Sequence, residues 1–583
     1  MHRSPTSPSV ARIKAFLLFS ILALAACEPA NMEIEVTLPP DSALGAQDGR
    51  LVVVLSTREG EPRFHVTDGP GAQPAFGIDV DGWAPGSAVL LQDTVFGFPV
   101  SRLADLPPGD YTAQALLNRY ETFDRSDGRT VKLPPDRGEG QVWNRKPGNL
   151  YSLPAPVRIT EDGPAEPIAL TLDQVIPELP DPAEQETEWV KYVQIRSQRL
   201  SQFWGTDVYL GAWVLLPREF ERYPDRRYPV AVFHGHFPSS FSHIRTTPPD
   251  PDLECEYSAR FDLDCYNRIQ QEEQWRQFQL WNSAVFPRML VVEIQHPTPF
   301  YDDSYAVNSA NNGPYGDAIT YELLPEIERR FNGIGEGWAR FLYGGSTGGW
   351  ESMAAQVFYP DDYNGAWIAC PDPIDFRAYT LVNLYEDENA YRVEPEGFKE
   401  TPVAGRRNYL GAVDRTLEES NHMELVLGTR TRSGQQWDVW ESVYSPVGPD
   451  GYPARIWDKV SGDIDPEVAE YWRENYDLVH ILRRDWATLG PKLEGKLNIY
   501  VGDMDNYYLN NAVYLAEDFL ESTTDPYYDG EIDYGDRAEH CWNGDHDNSN
   551  AISRLRYISM FAPRIVDRLE ATAPLRAPRG WRP

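Results

Sequence analysis

Gly344-Gly345-Ser346-Thr347-Gly348 sets a serine among glycines, directly after an apolar run and directly before a run of helical character. A serine hydroxyl is a weak nucleophile until a neighbouring base takes its proton, and a sharp strand-to-helix turn exposes it to such a base. Glycines suit that turn because the backbone is strained and neighbouring segments pack too closely for side chains at the flanking positions. The five-residue pattern also fits an ordinary tight loop. Its meaning depends on whether the chain supplies a base, an acid to orient it, and amides for an oxyanion.

Those partners are expected in the order serine, acid, histidine. The stretch "VGDMDNYYLN" follows an apolar run and offers Asp503 and Asp505 at a strand's carboxyl end, where a carboxylate can orient an imidazole. Beyond it only His540 and His546 remain. Both stay open as the base on order alone.

The elements that must position these groups are legible as two textures. From Met32 to about Leu172, short β-rich runs ("MEIEVTL", "RLVVVLST", "YTAQALLN", "PIALTL") alternate with Pro/Gly turns, which predicts a small β-sandwich over residues 27–175. "LADLPPGDYTAQALLN" is similar to the turn-and-strand of immunoglobulin-like modules. A proline-rich, acidic linker follows over 176–190. Residues 191–583 then alternate apolar strands with helical patterns, as in an α/β sheet covered on both faces. The expected strands are "YPVAVF", "MLVVEI", "ARFLYG", "GAWIAC" and "LNIYVG". Between the second and third, Ile319, Leu323, Ile327 and Phe331 recur every fourth residue and predict one helix. The segments at about 237–287 and 371–496 are too long for simple connections and are expected to build the substrate pocket.

"GAWVLLPREFERYPDRRYPVAVFHGH" and "YGGSTGGWESMAAQVFYPDDYNGAW" resemble the α/β-hydrolases of the esterase D and enterochelin esterase family, and the likeness covers roughly residues 209–563. The resemblance implies an α/β-hydrolase fold after an N-terminal β-sandwich, and hydrolysis of carboxylic esters through an acyl-enzyme. The G-x-x-D spacing favours Asp505 over Asp503. "NGDHDN" resembles the glycine-rich histidine loop of these esterases and favours His546 over His540, although Asp545 and Asn548 replace a glycine and a tryptophan of that loop. The His234-Gly235 pair resembles the oxyanion loop, so amides near His236 or Phe237 would join that of Thr347, while His234 holds the loop. The implied substrate is a small-molecule ester, and no cofactor is implied.

Two rival readings use other residues. His234 and His236, with His243 and either Asp505 or Asp545, would suit a metal-dependent hydrolase but leave the glycine-flanked serine unexplained. Trp275, Trp281, Trp350 and Trp437 would suit a non-catalytic glycan- or partner-binding surface lipoprotein, although tryptophans in insertions more often pack beneath them.

The chain has 583 residues and a net charge of -36, which argues against nucleic acid as a partner because phosphates would be repelled. Arg3, Arg12 and Lys14 precede an apolar run, Ala15 to Ala26, too short to span a bilayer and flanked like a secretory signal. Leu24-Ala25-Ala26-Cys27 resembles a bacterial lipobox. Residues 1–26 are thus expected to be removed, Cys27 acylated, and the chain held in the bacterial cell envelope by lipid alone. Of the other four cysteines, Cys255 and Cys265 are the expected disulfide, while a Cys370–Cys541 pair stays open. Wild-type protein should accordingly fractionate with membranes and Cys27→Ser should be released or left unprocessed; equal solubility of the two would contradict anchoring.

Overall fold

Five near-continuously apolar runs predict strands buried on both faces, and such strands form the centre of an eight-stranded sheet. The computed structural model describes residues 32–40, 45–140, 142–236, 244–393 and 400–582. The sheet comprises β1 (Val190–Ser197), β2 (Val208–Leu215), β3 (Val230–His234), β4 (Leu290–Gln295), β5 (Arg340–Gly345), β6 (Ala366–Ala369), β7 (Leu497–Gly502) and β8 (Glu531–Gly535). Their spatial order is β1-β2-β4-β3-β5-β6-β7-β8. β1 and β2 run antiparallel to their neighbours, and every pair from β4 onward is parallel. This is an α/β fold. The helical stretch from Tyr315 to Arg330 crosses from β4 to β5 through a π-helical turn at Ile319–Leu323, and Ile319, Leu323 and Ile327 are buried as their spacing requires.

Most of the N-terminal strands form two further sheets, beside the separate hairpin of Glu121–Asp124 and Thr130–Leu133. Ile168–Thr171, Ile34–Thr37 and Ala88–Leu91 make a three-stranded one, and Gln47–Ser56, Ala75–Trp83, Gly109–Arg119 and Ala155–Thr160 form the body of a larger antiparallel one. Alternation along Gln47–Ser56 explains how it serves two cores. Leu51, Val53 and Leu55 pack with Ile34, Val36 and Phe76 on one side. Val52 and Val54 pack on the other side with Met423, Val426 and Leu427.

Those last three residues belong to the helix Leu417–Leu427, inside the 371–496 insertion. A capping box between Thr416 and Glu419 starts it, and Arg50 holds its end by donating to the carbonyls of Val426 at 2.8 Å and Leu425 at 2.9 Å. The rest of the insertion supplies the helices Gln436–Tyr444, Pro466–Asn475 and Leu478–Leu493, the first two joined by edge-to-face contacts among Tyr379, Trp437, Trp440 and Trp472. Cys255 and Cys265 are disulfide-bonded just before the helix Tyr266–Trp281 of the earlier insertion. The expected signal segment and Cys27 lie outside the described residues, within which no helix is long and apolar enough to cross a membrane.

Because the insertion helix and the N-terminal sheet share a core, Leu427→Ala should cost about 2–5 kcal/mol in urea unfolding. Loss of that size should register in the transition of both parts. A melt in which the two parts unfold separately and Leu427→Ala moves neither would contradict the shared core.

Candidate active site

Ser346 stands between the end of β5 and the helix Thr347–Phe358 with φ 61° and ψ −124°, a conformation costly for a residue bearing a Cβ. Close packing holds it there. A Cβ on Gly348 would meet the His234 carbonyl oxygen at 2.0 Å, so the first turn of this helix rests directly on the backbone at the end of β3. The Ser346 amide donates to the Ala369 carbonyl at 3.1 Å, which ties the turn to β6 as well. Thr347 is the first residue of the helix, so its amide is one of those left without an intrahelical acceptor.

The histidine at the serine is His540. Its Nε2 lies 2.9 Å from Ser346 Oγ and its Nδ1 lies 2.8 Å from Asp505 Oδ2. Asp505 is fully buried, and its other oxygen accepts from the Tyr507 amide at 2.9 Å, so the carboxylate is held in one orientation. The His540 backbone is fixed by Asn506 Oδ1 at 3.1 Å and by Asn550 Nδ2 at 2.9 Å, while Tyr507 packs edge-on against its ring.

His546, expected at this place, is elsewhere. Its Nε2 bonds Asp533 Oδ2 at 2.8 Å and its side chain is 60% exposed. The physical reason is the turn built by Asp545, whose Oδ1 accepts from the Asp547 amide at 3.0 Å and the Asn548 amide at 3.1 Å. Asp545 takes the place of a glycine in the expected loop, and its turn leaves His546 facing outward. Asp503 is likewise turned away and accepts from the Arg537 amide at 2.6 Å.

Of the expected oxyanion donors, Thr347 and His236 come together, with His236 Nε2 3.0 Å from Thr347 Oγ1, whereas Phe237 and His243 lie outside the described residues. His234 and His236 do not form a ligand pair with Asp505 or Asp545. His234 is buried against Glu351, Asp505 is engaged by His540, and Asp545 caps its own turn. Trp281 and Trp350 are buried and Trp275 is packed against the core, so these three present no open stacking surface, whereas Trp437 is largely buried with its remaining surface on the cavity.

One feature went unforeseen. Asp372, buried just beyond β6, places Oδ1 3.4 Å from Ser346 Oγ, while its Oδ2 accepts from Tyr305 OH at 2.7 Å and Thr347 Oγ1 at 3.1 Å. Burial raises its pKa, against the lowering effect of the Tyr305 hydrogen bond and the charge of His540. Nothing in the local pattern of "CPDPID" marks it out. The Cys370–Cys541 pairing that the sequence left open is a contact and not a bridge: both thiols are free and hydrogen-bonded to each other. Cys370 Sγ also lies 3.2 Å from the Ser346 amide, and burial pushes its thiol up. The hydrogen bond from Cys370, with the adjacent His540, holds Cys541 well below the ordinary thiol range.

These groups line a cavity of about 680 Å³ walled by Trp437, Trp440, Tyr507 and Tyr557 as well as Ser346 and His540. That size suits an organic molecule rather than an extended polymer.

No protein-family model matches the chain, and no curated protein matches it. Solved structures similar to it include a ferulic acid esterase at 13% identity, covering 65% of this chain and 98% of the other, with a TM-score of 0.33. An S-formylglutathione hydrolase from Agrobacterium tumefaciens shares 12% identity, with coverage of 66% and 97% and a TM-score of 0.30. A fungal esterase from Rhizomucor miehei shares 11%, with coverage of 67% and 88% and a TM-score of 0.34.

Burial lowers the pKa of His540, but the charges of Cys541 and Asp505 outweigh it and hold the imidazole well above its ordinary range. Only neutral imidazole can take a proton, so a raised pKa moves the loss of activity with acid to higher pH. The acid limb of kcat/KM should therefore fall above about pH 6.5. Cys541→Ser should shift it downward; an unmoved limb would show that the thiol carries no charge there.

Proposed function

We propose that this chain is a serine hydrolase of the α/β-hydrolase type that cleaves carboxylic esters. The observation that carries this reading is the unbroken chain of hydrogen bonds from Ser346 Oγ through His540 to Asp505, at 2.9 and 2.8 Å, opening on a cavity. In the first step His540 Nε2 takes the hydroxyl proton as Ser346 Oγ attacks the ester carbonyl carbon. Asp505 keeps the proton on Nδ1 and steadies the imidazolium. The carbonyl electron pair moves to oxygen, and the Thr347 amide with those of the loop after His234 would donate hydrogen bonds to that oxyanion. Each such donor is worth about 3 kcal/mol in the barrier. Collapse of the adduct expels the alcohol with the proton from His540, leaving an acyl group on Ser346. Water, deprotonated by the same imidazole, then releases the acid.

Asp372 is an acceptor for groups around the serine rather than a second base on this reading. Its two best donors, Tyr305 and Thr347, anchor it beside the first turn of the helix. The lipid tether at Cys27, in a cell envelope, remains part of the same proposal and would hold the cavity near the membrane surface.

Ser346→Ala and His540→Ala should each lower turnover of an aryl ester by on the order of 10⁴–10⁶, and the double variant should be little worse than either. Asp505→Asn should be equal or milder. His546→Ala and Asp503→Asn should keep most activity. A fluorophosphonate should modify Ser346 in the wild type and leave Ser346→Ala untouched. Retained turnover in Ser346→Ala, or loss in His546→Ala with His540→Ala active, would refute the assignment.

A further inference from the structure

Arg260 and Arg554 stand on the wall of the cavity that holds Ser346 and His540, and they reach it from separate parts of the chain. Arg260 lies in the loop closed by the Cys255–Cys265 disulfide, where the Ser258 amide donates to the Leu263 carbonyl at 2.9 Å. Arg554 opens the short helical turn Arg554–Arg556, directly after the helix Asn550–Ser553, whose first residue donates to the His540 carbonyl. Both guanidinium groups approach the ring of Phe261, with Cζ 5.1 Å from its centroid for Arg260 and 4.9 Å for Arg554. One aromatic ring thus gathers two positive charges.

Neither arginine forms an ion pair with a described residue. Arg260 makes no side-chain hydrogen bond among them, and Arg554 uses Nε alone, donating to Tyr266 OH at 3.1 Å. Acids are not in short supply nearby. Arg556 pairs with Asp545 at 3.4 Å, Asp262 accepts from Tyr257 OH at 2.7 Å, and Arg415, the remaining arginine on the cavity wall, is matched by Asp68. Two guanidinium groups left unmatched on one ring repel each other, and an anion between them turns that repulsion into attraction. Their free terminal nitrogens offer the parallel donors that fit the two oxygens of a carboxylate. The charge of Arg260 acts on Cys541, which follows His540, and that of Arg554 acts on Tyr557, so an anion held by both lies within a small molecule's reach of Ser346.

We propose that the ester taken into this cavity carries a carboxylate, held by Arg260 and Arg554 while its ester carbonyl lies at Ser346. This rests on the ester-hydrolase reading and names the class of its substrate. The aromatic walls suit the carbon skeleton between the two groups. A chain of net charge -36 repels anions at long range, so selection for one has to come from such a local pair. Arg260 and Arg554 set specificity and take no part in proton transfer.

The test compares two acidic esters with their neutral carboxamide isosteres: the meta-carboxyphenyl ester of butanoic acid, charged on the alcohol side, and the mono(para-nitrophenyl) ester of adipic acid, charged on the acyl side. In the full-length protein at least one acid should exceed its amide in kcat/KM by about tenfold or more, through KM, as charge-assisted hydrogen bonds allow. The ratio should shrink with added salt and fall toward one in Arg260→Ala and in Arg554→Ala. Arg579→Ala, whose side chain pairs with Glu570 away from the cavity, should keep it. Fluorophosphonate labelling at Ser346 shows which variants have folded, and the salt dependence of the wild type decides the matter if the arginine variants have not. Calorimetric binding of the same four esters to Ser346→Ala separates this inference from the one it rests on. Tighter binding of an acid than of its amide, without turnover or labelling of the wild type, would sustain the anion site and refute the serine reading. Turnover with no acid better than its amide in either assay, or a preference that both arginine substitutions leave intact, would overturn the proposal.

Discussion

The contact on which the site depends is the approach of the helix at Thr347–Phe358 to the end of β3, close enough that a methyl group at Gly348 would fall 2.0 Å from the His234 carbonyl oxygen. That approach keeps Ser346 at positive φ and sets the first turn of its helix against the end of β3. Strain of this kind persists only where the surroundings over-determine it. Here the supports are the β5 backbone before the serine, the β6 carbonyl that accepts its amide, and the buried face of the helix after it.

Around that turn the chain surrounds Ser346 with acids. Asp505 orients the imidazole, Asp372 gathers hydroxyls, and Glu351 and Asp303 lie deeper among histidines. Each is buried, and buried carboxylates are tolerated only when hydrogen-bonded, protonated or matched by positive charge. Asp505 meets that demand with His540 and backbone amides. In the deeper group Asp303 accepts from the Tyr305 amide at 2.6 Å and meets Glu351 carboxyl to carboxyl.

The long insertion and the N-terminal sheets form a continuous support for the cavity wall. Helix Leu417–Leu427 presents Met423 to the core it shares with the N-terminal strands, and Met423 also lines the cavity. Arg50, far away in sequence, ends that helix. Packing errors on the N-terminal side are thus transmitted to the pocket through a rigid helix rather than through a loop.

By itself the sequence determined the parts that follow from short-range pattern. The apolar runs marked β3 to β7 because strands buried on both faces must be apolar, and the glycine spacing marked Ser346 because only small residues fit that turn. β8, "EIDYG", escaped because a half-exposed edge strand needs no apolar run. The order serine, acid, histidine narrowed the base to two residues but could not choose between them. His540 and His546 sit six positions apart in one irregular loop, and a local esterase-like pattern favoured the wrong side of it. Tertiary structure decided, because the Asp545 turn sends His546 to Asp533 while Asn506 and Asn550 hold His540 over the serine. Asp372 and the Glu351 cluster were equally out of reach. Their members come from different strands and loops, and only the sheet order brings them within a few ångströms.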